Sequence, residues 1–169
     1  MTNKLSFDIP DYKKIRVIID TDAACEADDP FAISHALMCR KLIVKGITAE
    51  HFVEEGSVQK SLAELESKVL PYGKIGHHLF TQMVEYNMTE RAAWTQGERW
   101  ALGDSPAVGI AMYPRCGKYV EREAKLFNHD ELTSYGENIP GRKIRVYESV
   151  DSHFILEDFF AKLKINFSE

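Results

Sequence analysis

The sequence is short of several things at once, and each shortage removes a class of function. No apolar run in its 169 residues is long enough to span a bilayer, so a membrane protein is not expected. The N-terminal stretch MTNKLSFDIPDYKK has no continuous apolar segment and does not read as a signal peptide. Cysteine is scarce. Cys25, Cys39 and Cys116 are scattered, odd in number and without metal-ligand spacing, which points to a reduced, cytoplasmic setting. Basic residues are outnumbered, 21 against 26 acidic ones, for a net charge of −5. Nucleic acid is therefore not an expected partner, because phosphate binding needs a basic face. There are no internal repeats and no low-complexity segment. The remaining composition, 44% hydrophobic and 28% charged, suits a single soluble globular domain over residues 1–169.

Acidic residues are what the chain has in quantity, and they are concentrated. Residues 15–37 read IRVIIDTDAACEADDPFAISHAL. Ile15, Val17, Ile18 and Ile19 form an apolar, β-branched run that predicts a strand over 15–20, buried on both faces. Asp20, Asp22, Glu26, Asp28 and Asp29 then fall within ten positions. A helix should follow, capped by Asp28 or Asp29, with Pro30 in its first turn and Phe31, Ile33, Ala36 and Leu37 on its apolar stripe. Residues 42–49, LIVKGITA, read as a second strand. Strand, helix and strand in that order predict a right-handed βαβ unit and an α/β fold with an open, mostly parallel sheet flanked by helices. Like charges packed this tightly repel, and burying them unpaired is costly. A hard divalent cation with oxygen ligands would compensate. The strand's C-terminal end is also where open α/β sheets place their sites.

The rest of the chain supplies scaffold and a second acidic position. Glu50, His51 and Phe52 fall at the end of the second strand, beside the first loop. Helices are expected over 57–69 and 75–86, separated by the break at Pro71, Tyr72 and Gly73. His77 and His78 are adjacent and cannot share one helix face. Residues 87–100 read as irregular, with Trp94 and Trp100 as packing anchors. In WALGDSPAVGIAMYP, residues 100–114, Gly103 permits an unusual backbone angle and Asp104 is placed to cap a short, apolar, buried helix. Residues 115–142 are polar and read as loops or short edge strands, 143–150 as a strand, and Asp151 as the start of a last helix. Phe154, Ile155, Phe159, Phe160 and Leu163 give that helix its core stripe, leaving His153, Glu157 and Asp158 for the surface.

Three segments together carry a resemblance. Asp20-Thr21-Asp22 is followed, after a loop longer by two residues, by Asp28-Asp29 and Ala32; GDSPAVG places Asp104 at a helix start; VYESVDSHFILEDFFAKL closes the chain. In these the sequence resembles the inosine/uridine-preferring nucleoside hydrolase family, in the branch with an EADD form of the first motif. The resemblance implies a nucleoside hydrolase-like fold and a Ca²⁺-dependent N-glycosidase acting on a nucleoside or related riboside. Asp22, Asp29 and Asp104 match the acids that hold the calcium. Asp28 matches the carboxylate that takes a proton from the attacking water, and Asp20 a supporting acid. Glu26, in the longer loop, and His51 are candidates on the substrate side. Many members carry a histidine just before the late aspartate, near the leaving base; here Gly103 stands there. The family's N-terminal part corresponds to residues 15–69 and its C-terminal part to 75–169, so the middle of the family fold is missing. Family members commonly self-associate, which leaves a homo-oligomer open without settling the oligomeric state. Two other readings follow. One is an internally deleted, weakly active or inactive homologue that binds calcium or a ribosyl ligand. The other is a haloacid dehalogenase-like phosphatase with Asp20 as nucleophile and Asp22 as acid/base, against which Ala23 and Ala24 stand where that family has Gly-Thr.

Overall fold

The structure is a computed structural model, and it describes residues 4–21, 27–49, 59–93, 95, 97–127 and 135–168. The apolar run after Lys14 forms strand β1 (Ile15–Thr21), and helix α1 (Asp29–Met38) begins with Pro30 in its first turn. Strand β2 (Leu42–Ala49) returns parallel to β1, pairing Ile15 with Leu42 and Thr21 with Ala49, with a register shift between Val17 and Ile18. The expected βαβ unit therefore forms.

The larger sheet does not. The described strands make three separate two-stranded ladders, of which only the β1–β2 pair is parallel. Strand β3 (Gln59–Ser61) pairs antiparallel with β4 (Arg99–Ala101), and β5 (Gly117–Phe127) pairs antiparallel with β6 (Tyr135–Val150). Nor is β1 buried on both faces. Ile18 is 69% exposed and Ile47 of β2 48%, because helices cover one side of this pair and no described element covers the other. The chain is thus mixed α/β.

Helix α2 (Leu62–Lys68) is shorter than the sequence suggests, because its first expected turn is taken by β3. Ser61 caps it, accepting a hydrogen bond from the Glu64 amide at 3.1 Å. Helix α3 (Gly73–Asn87) starts at Gly73, which has a positive φ of 64°. His77 and His78 are both exposed on it. Helix α4 (Ser105–Met112) and helix α5 (Ser152–Phe167) form as expected, the latter capped by Asp151, whose carboxylate accepts from the Phe154 amide at 2.9 Å. Gly103 does not have a positive φ, so its expected special backbone role is absent. Phe154 is 39% exposed and sits at the margin of its stripe.

Two hydrophobic cores meet at α1. One packs Phe31 and Met38 with Leu65, Leu79, Met83, Trp100, Phe159 and Leu163, drawing together α1, α2, α3, β4 and α5. The other packs Ala32, Ala36 and Cys39 with Leu42 and Val108, joining α1 to the parallel strands and α4. Burying a side chain such as Phe159 contributes about 2–3 kcal/mol through removal of apolar surface from water. Helices α4 and α5 lie very close: a Cβ added at Gly109 would sit 2.3 Å from Ile155 Cγ1. The β5–β6 hairpin stands between these helices in sequence, and its base is tied by the Asp151 amide donating to the Cys116 carbonyl at 2.6 Å.

Candidate metal centre

The two acidic segments converge. Asp28 and Asp29 sit at the N-terminal end of α1, and Asp104 sits at the N-terminal end of α4. The packing of α1 on α4 brings one carboxylate oxygen from each of the three within 4.8 Å of one another. Asp28 and Asp29 are buried, and Asp104 is the most exposed of the three. The sequence makes Asp28 and Asp104 look like helix caps. Each occupies the N-cap position, yet neither side chain caps its helix. Instead the Asp28 carboxylate accepts from the Asp104 amide at 3.2 Å, tying the two helix starts together.

The electrostatics of the two buried acids reflect their removal from water. Burial pushes the Asp28 carboxyl above its ordinary value, and the Asp29 charge adds to this, while the amides of Asp28, Asp104 and Gly103 oppose it. One oxygen of Asp29 accepts from the Thr21 hydroxyl. The other, Oδ2, is buried with no hydrogen-bond partner among the described residues, although Asp29 is only 1% exposed. A buried carboxylate oxygen left without a donor is costly. Among the described residues no lysine, arginine or histidine pairs with Asp28 or Asp29. Three carboxylates with one oxygen each within 4.8 Å form an oxygen-only donor set of the kind that suits a hard divalent cation. The residues therefore fit such an ion.

Beside the acids runs a groove of about 340 Å³ between β1, α1 and α4. Val17, Ile19, Ala32 and Val108 line it, and Asp29 and Asp104 mark one end. Asp28, next to Asp29 in sequence, is not among the lining residues. Asp22, Glu26 and His51 fall outside the described residues, as does Cys25, and the Asp20 side chain is likewise not described. No family model, curated protein or solved structure matches the chain. Among the described residues no helix is long and apolar enough to cross a membrane.

A second group of ligating side chains lies at the other end of α1, and sequence reasoning missed it. His35, Cys39 and Asp158 also place one potential ligand atom each within 4.8 Å of one another. Asp158, expected at the surface, accepts from His35 Nε2 at 2.7 Å and pairs with Lys162. Lys162 Nζ also lies 3.1 Å from Cys39 Sγ and 3.3 Å from Met112 Sδ. Burial holds the His35 imidazole below its ordinary pKa despite Asp158. A neutral imidazole beside an ionised carboxylate carries its proton on Nε2, which leaves Nδ1 as the buried atom without a partner among the described residues. The spacing was a usable signal: His35 and Cys39, and Asp158 and Lys162, are each four apart and so share a helix face.

Proposed function

We propose that this chain is a nucleoside hydrolase-like N-glycosidase, a cytoplasmic enzyme that cleaves the N-ribosidic bond of a nucleoside or related riboside with the help of calcium. The observation that carries the reading is the convergence of Asp28 and Asp29 with Asp104 across a sequence separation of 76 residues. The β1–α1–β2 unit delivering the first two acids is the part of the nucleoside hydrolase-like fold that this reading needs. Asp29 and Asp104, joined by Asp22 from the preceding loop, would hold the ion. When bound, a calcium ion supplies positive charge that orients the ribose hydroxyls and makes a water more acidic.

The chain's own residues supply the rest. Asp28 accepts the proton as water attacks C1′. Its raised proton affinity suits a base working closer to neutral pH than an ordinary carboxylate does. Negative charge on the neighbouring acids stabilises an oxocarbenium-like transition state. The groove falls within the size range of small-molecule sites, and its apolar walls would exclude water from the ribosyl group. Gly103 has no side chain with which to protonate a departing base. The substrates best served are therefore those whose leaving group departs as a stable anion.

The exposed face of the parallel pair, with Ile18 and Ile47 open to solvent, favours one alternative: a homologue that keeps the acids and binds calcium or a ribosyl ligand without efficient turnover. One experiment separates the two. The protein is incubated with a nucleoside panel and with p-nitrophenyl riboside, with and without Ca²⁺, and free ribose is measured beside calcium binding by calorimetry. Calcium-dependent release of ribose is the expected result, with p-nitrophenyl riboside the fastest substrate. Asp28→Asn should abolish release while calcium still binds. Calcium binding without release would leave the alternative standing, and neither binding nor release would overturn both.

A further inference from the structure

The group at the far end of α1 is arranged for a chemistry different from that of the acids. Lys162 Nζ of α5 lies 3.1 Å from Cys39 Sγ, at the end of α1. Cys39 is 3% exposed and Lys162 8%, so water does not compete for this contact. The Lys162 ammonium also pairs with Asp158, four residues back on its own helix. Asp158 is therefore placed to receive a proton from Lys162. Met112 Sδ lies 3.1 Å from Cys39 Sγ and 3.3 Å from Lys162 Nζ, beside both atoms. Ala36, Leu42 and Ala111 pack around Cys39 and also line the groove that opens beside α1. This is the side from which a molecule as small as hydrogen peroxide would reach the thiol, which does not itself line the groove. Burial pushes the Cys39 thiol up, and the neighbouring Lys162 charge works against that.

We propose that Cys39 and Lys162 form a redox-modification site, in which hydrogen peroxide converts their contact into a covalent sulfur–nitrogen bond linking α1 to α5. The thiol sulfur attacks one peroxide oxygen, the O–O bond breaks, and Cys39 becomes a sulfenic acid with release of one water. Sulfenic acids condense with nitrogen nucleophiles held beside them. Lys162 passes a proton to Asp158 and attacks the sulfur through its amine lone pair. The S–O bond breaks, and the hydroxyl leaves with a proton as a second water. In sum, one thiol, one ammonium and one H₂O₂ give one S–NH link, two waters and one proton. Sulfur loses two electrons and peroxide gains them. Thiol reductants reverse the link by attack on the sulfur. The consequence in the fold is a strut between the helix that carries Asp29 and the helix that supports it from behind.

The test is peptide mapping of the intact chain after stoichiometric peroxide. The expected product joins the peptides holding Cys39 and Lys162, is lighter by two hydrogens than their sum, resists trypsin after Lys162, and is lost on treatment with dithiothreitol. Cys116, buried with no lysine nitrogen beside it among the described residues, should remain a free thiol and serves as an internal reference. Lys162→Arg keeps the positive charge and should give no link. Cys39→Ser should give none either, and neither variant should show the rise in melting temperature that peroxide gives the unaltered chain. The idea is overturned if Cys39 is recovered as a free thiol once exposed Met88 is oxidised. It is equally overturned if Cys39 proceeds to sulfinic acid while trypsin still cleaves after Lys162.

Discussion

At one end of α1, Asp28 and Asp29 face Asp104 of α4; at the other, His35 and Cys39 face Asp158 and Lys162 of α5. Both groups hold three ligating atoms within the same 4.8 Å, and both are largely buried. They differ in where the positive charge comes from. The second group carries an ammonium inside it, donated by Lys162 to carboxylate and thiol alike. The first brings three carboxylates together, one of them with a buried oxygen that has no donor among the described residues. Geometry that can hold a metal is thus shared by a cluster that contains an ammonium and by one built from three carboxylates. Charge balance, rather than spacing, tells them apart.

Removing the internal cation should break that contrast with the largest effect. Lys162→Met leaves Asp158 and the neutral His35 without their positive partner, and urea unfolding should show a loss of about 3–5 kcal/mol. Asp158→Asn in the same chain should recover much of it, and a double-mutant cycle checks the coupling. Supplying the external cation should have the next largest effect. At a free calcium level a hundredfold above the dissociation constant, the unaltered protein should gain about 2.7 kcal/mol of stability. Asp29→Asn should lose that gain while leaving the calcium-free protein no less stable, since it also removes a like charge beside Asp28.

Acidity should sharpen the comparison with a smaller effect, because the two ends respond with opposite sign. The folded-state pKa of Asp28 is raised from 3.8, so its contribution to the metal-free protein is fully present below 3.8 and is lost as pH rises through the folded value. That of His35 is lowered from 6.5, so its contribution is present above 6.5 and is lost as pH falls through the folded value. Urea midpoints measured against pH without metal should therefore lose their alkaline-side decline in Asp28→Asn and their acid-side decline in His35→Gln. The same slope in all three proteins would contradict the burial argument at both ends.

How much of this could be read beforehand depended on how local the signal was. The βαβ start was legible because Ile15 to Ile19 and LIVKGITA are apolar runs bounded by a cap and a turn. Asp104 was legible as a partner of the first loop only through the resemblance, since nothing local distinguishes it from an ordinary cap. The hairpin was legible only in part: residues 143–150 alternate enough to read as a strand, and they form the second half of β6, but β5 did not stand out. Both faces of much of β5 meet solvent, so it carries no clean alternation, and Glu121, Arg122 and Glu123 look like loop. Asp158 looked like a surface acid because the partner that draws it inward, His35, is 123 residues away.

The hairpin also bears on the order in which the chain can assemble. Its strands pair from Phe127 and Tyr135 down to Gly117 and Val150, and its base closes with the Asp151 amide on the Cys116 carbonyl. Pairing that starts at Phe127 and Tyr135 and runs toward the base spends entropy in small steps, each joining residues already close along the strand ladder. Once the base has closed, the end of α4 and the start of α5 are effectively adjacent, although many residues separate them in sequence. The tight approach of Gly109 to Ile155 can then form as a nearly local event. A long polar excursion thereby acts as a folding shortcut, shortening the search that sets Asp104 and Lys162 on the two sides of α1.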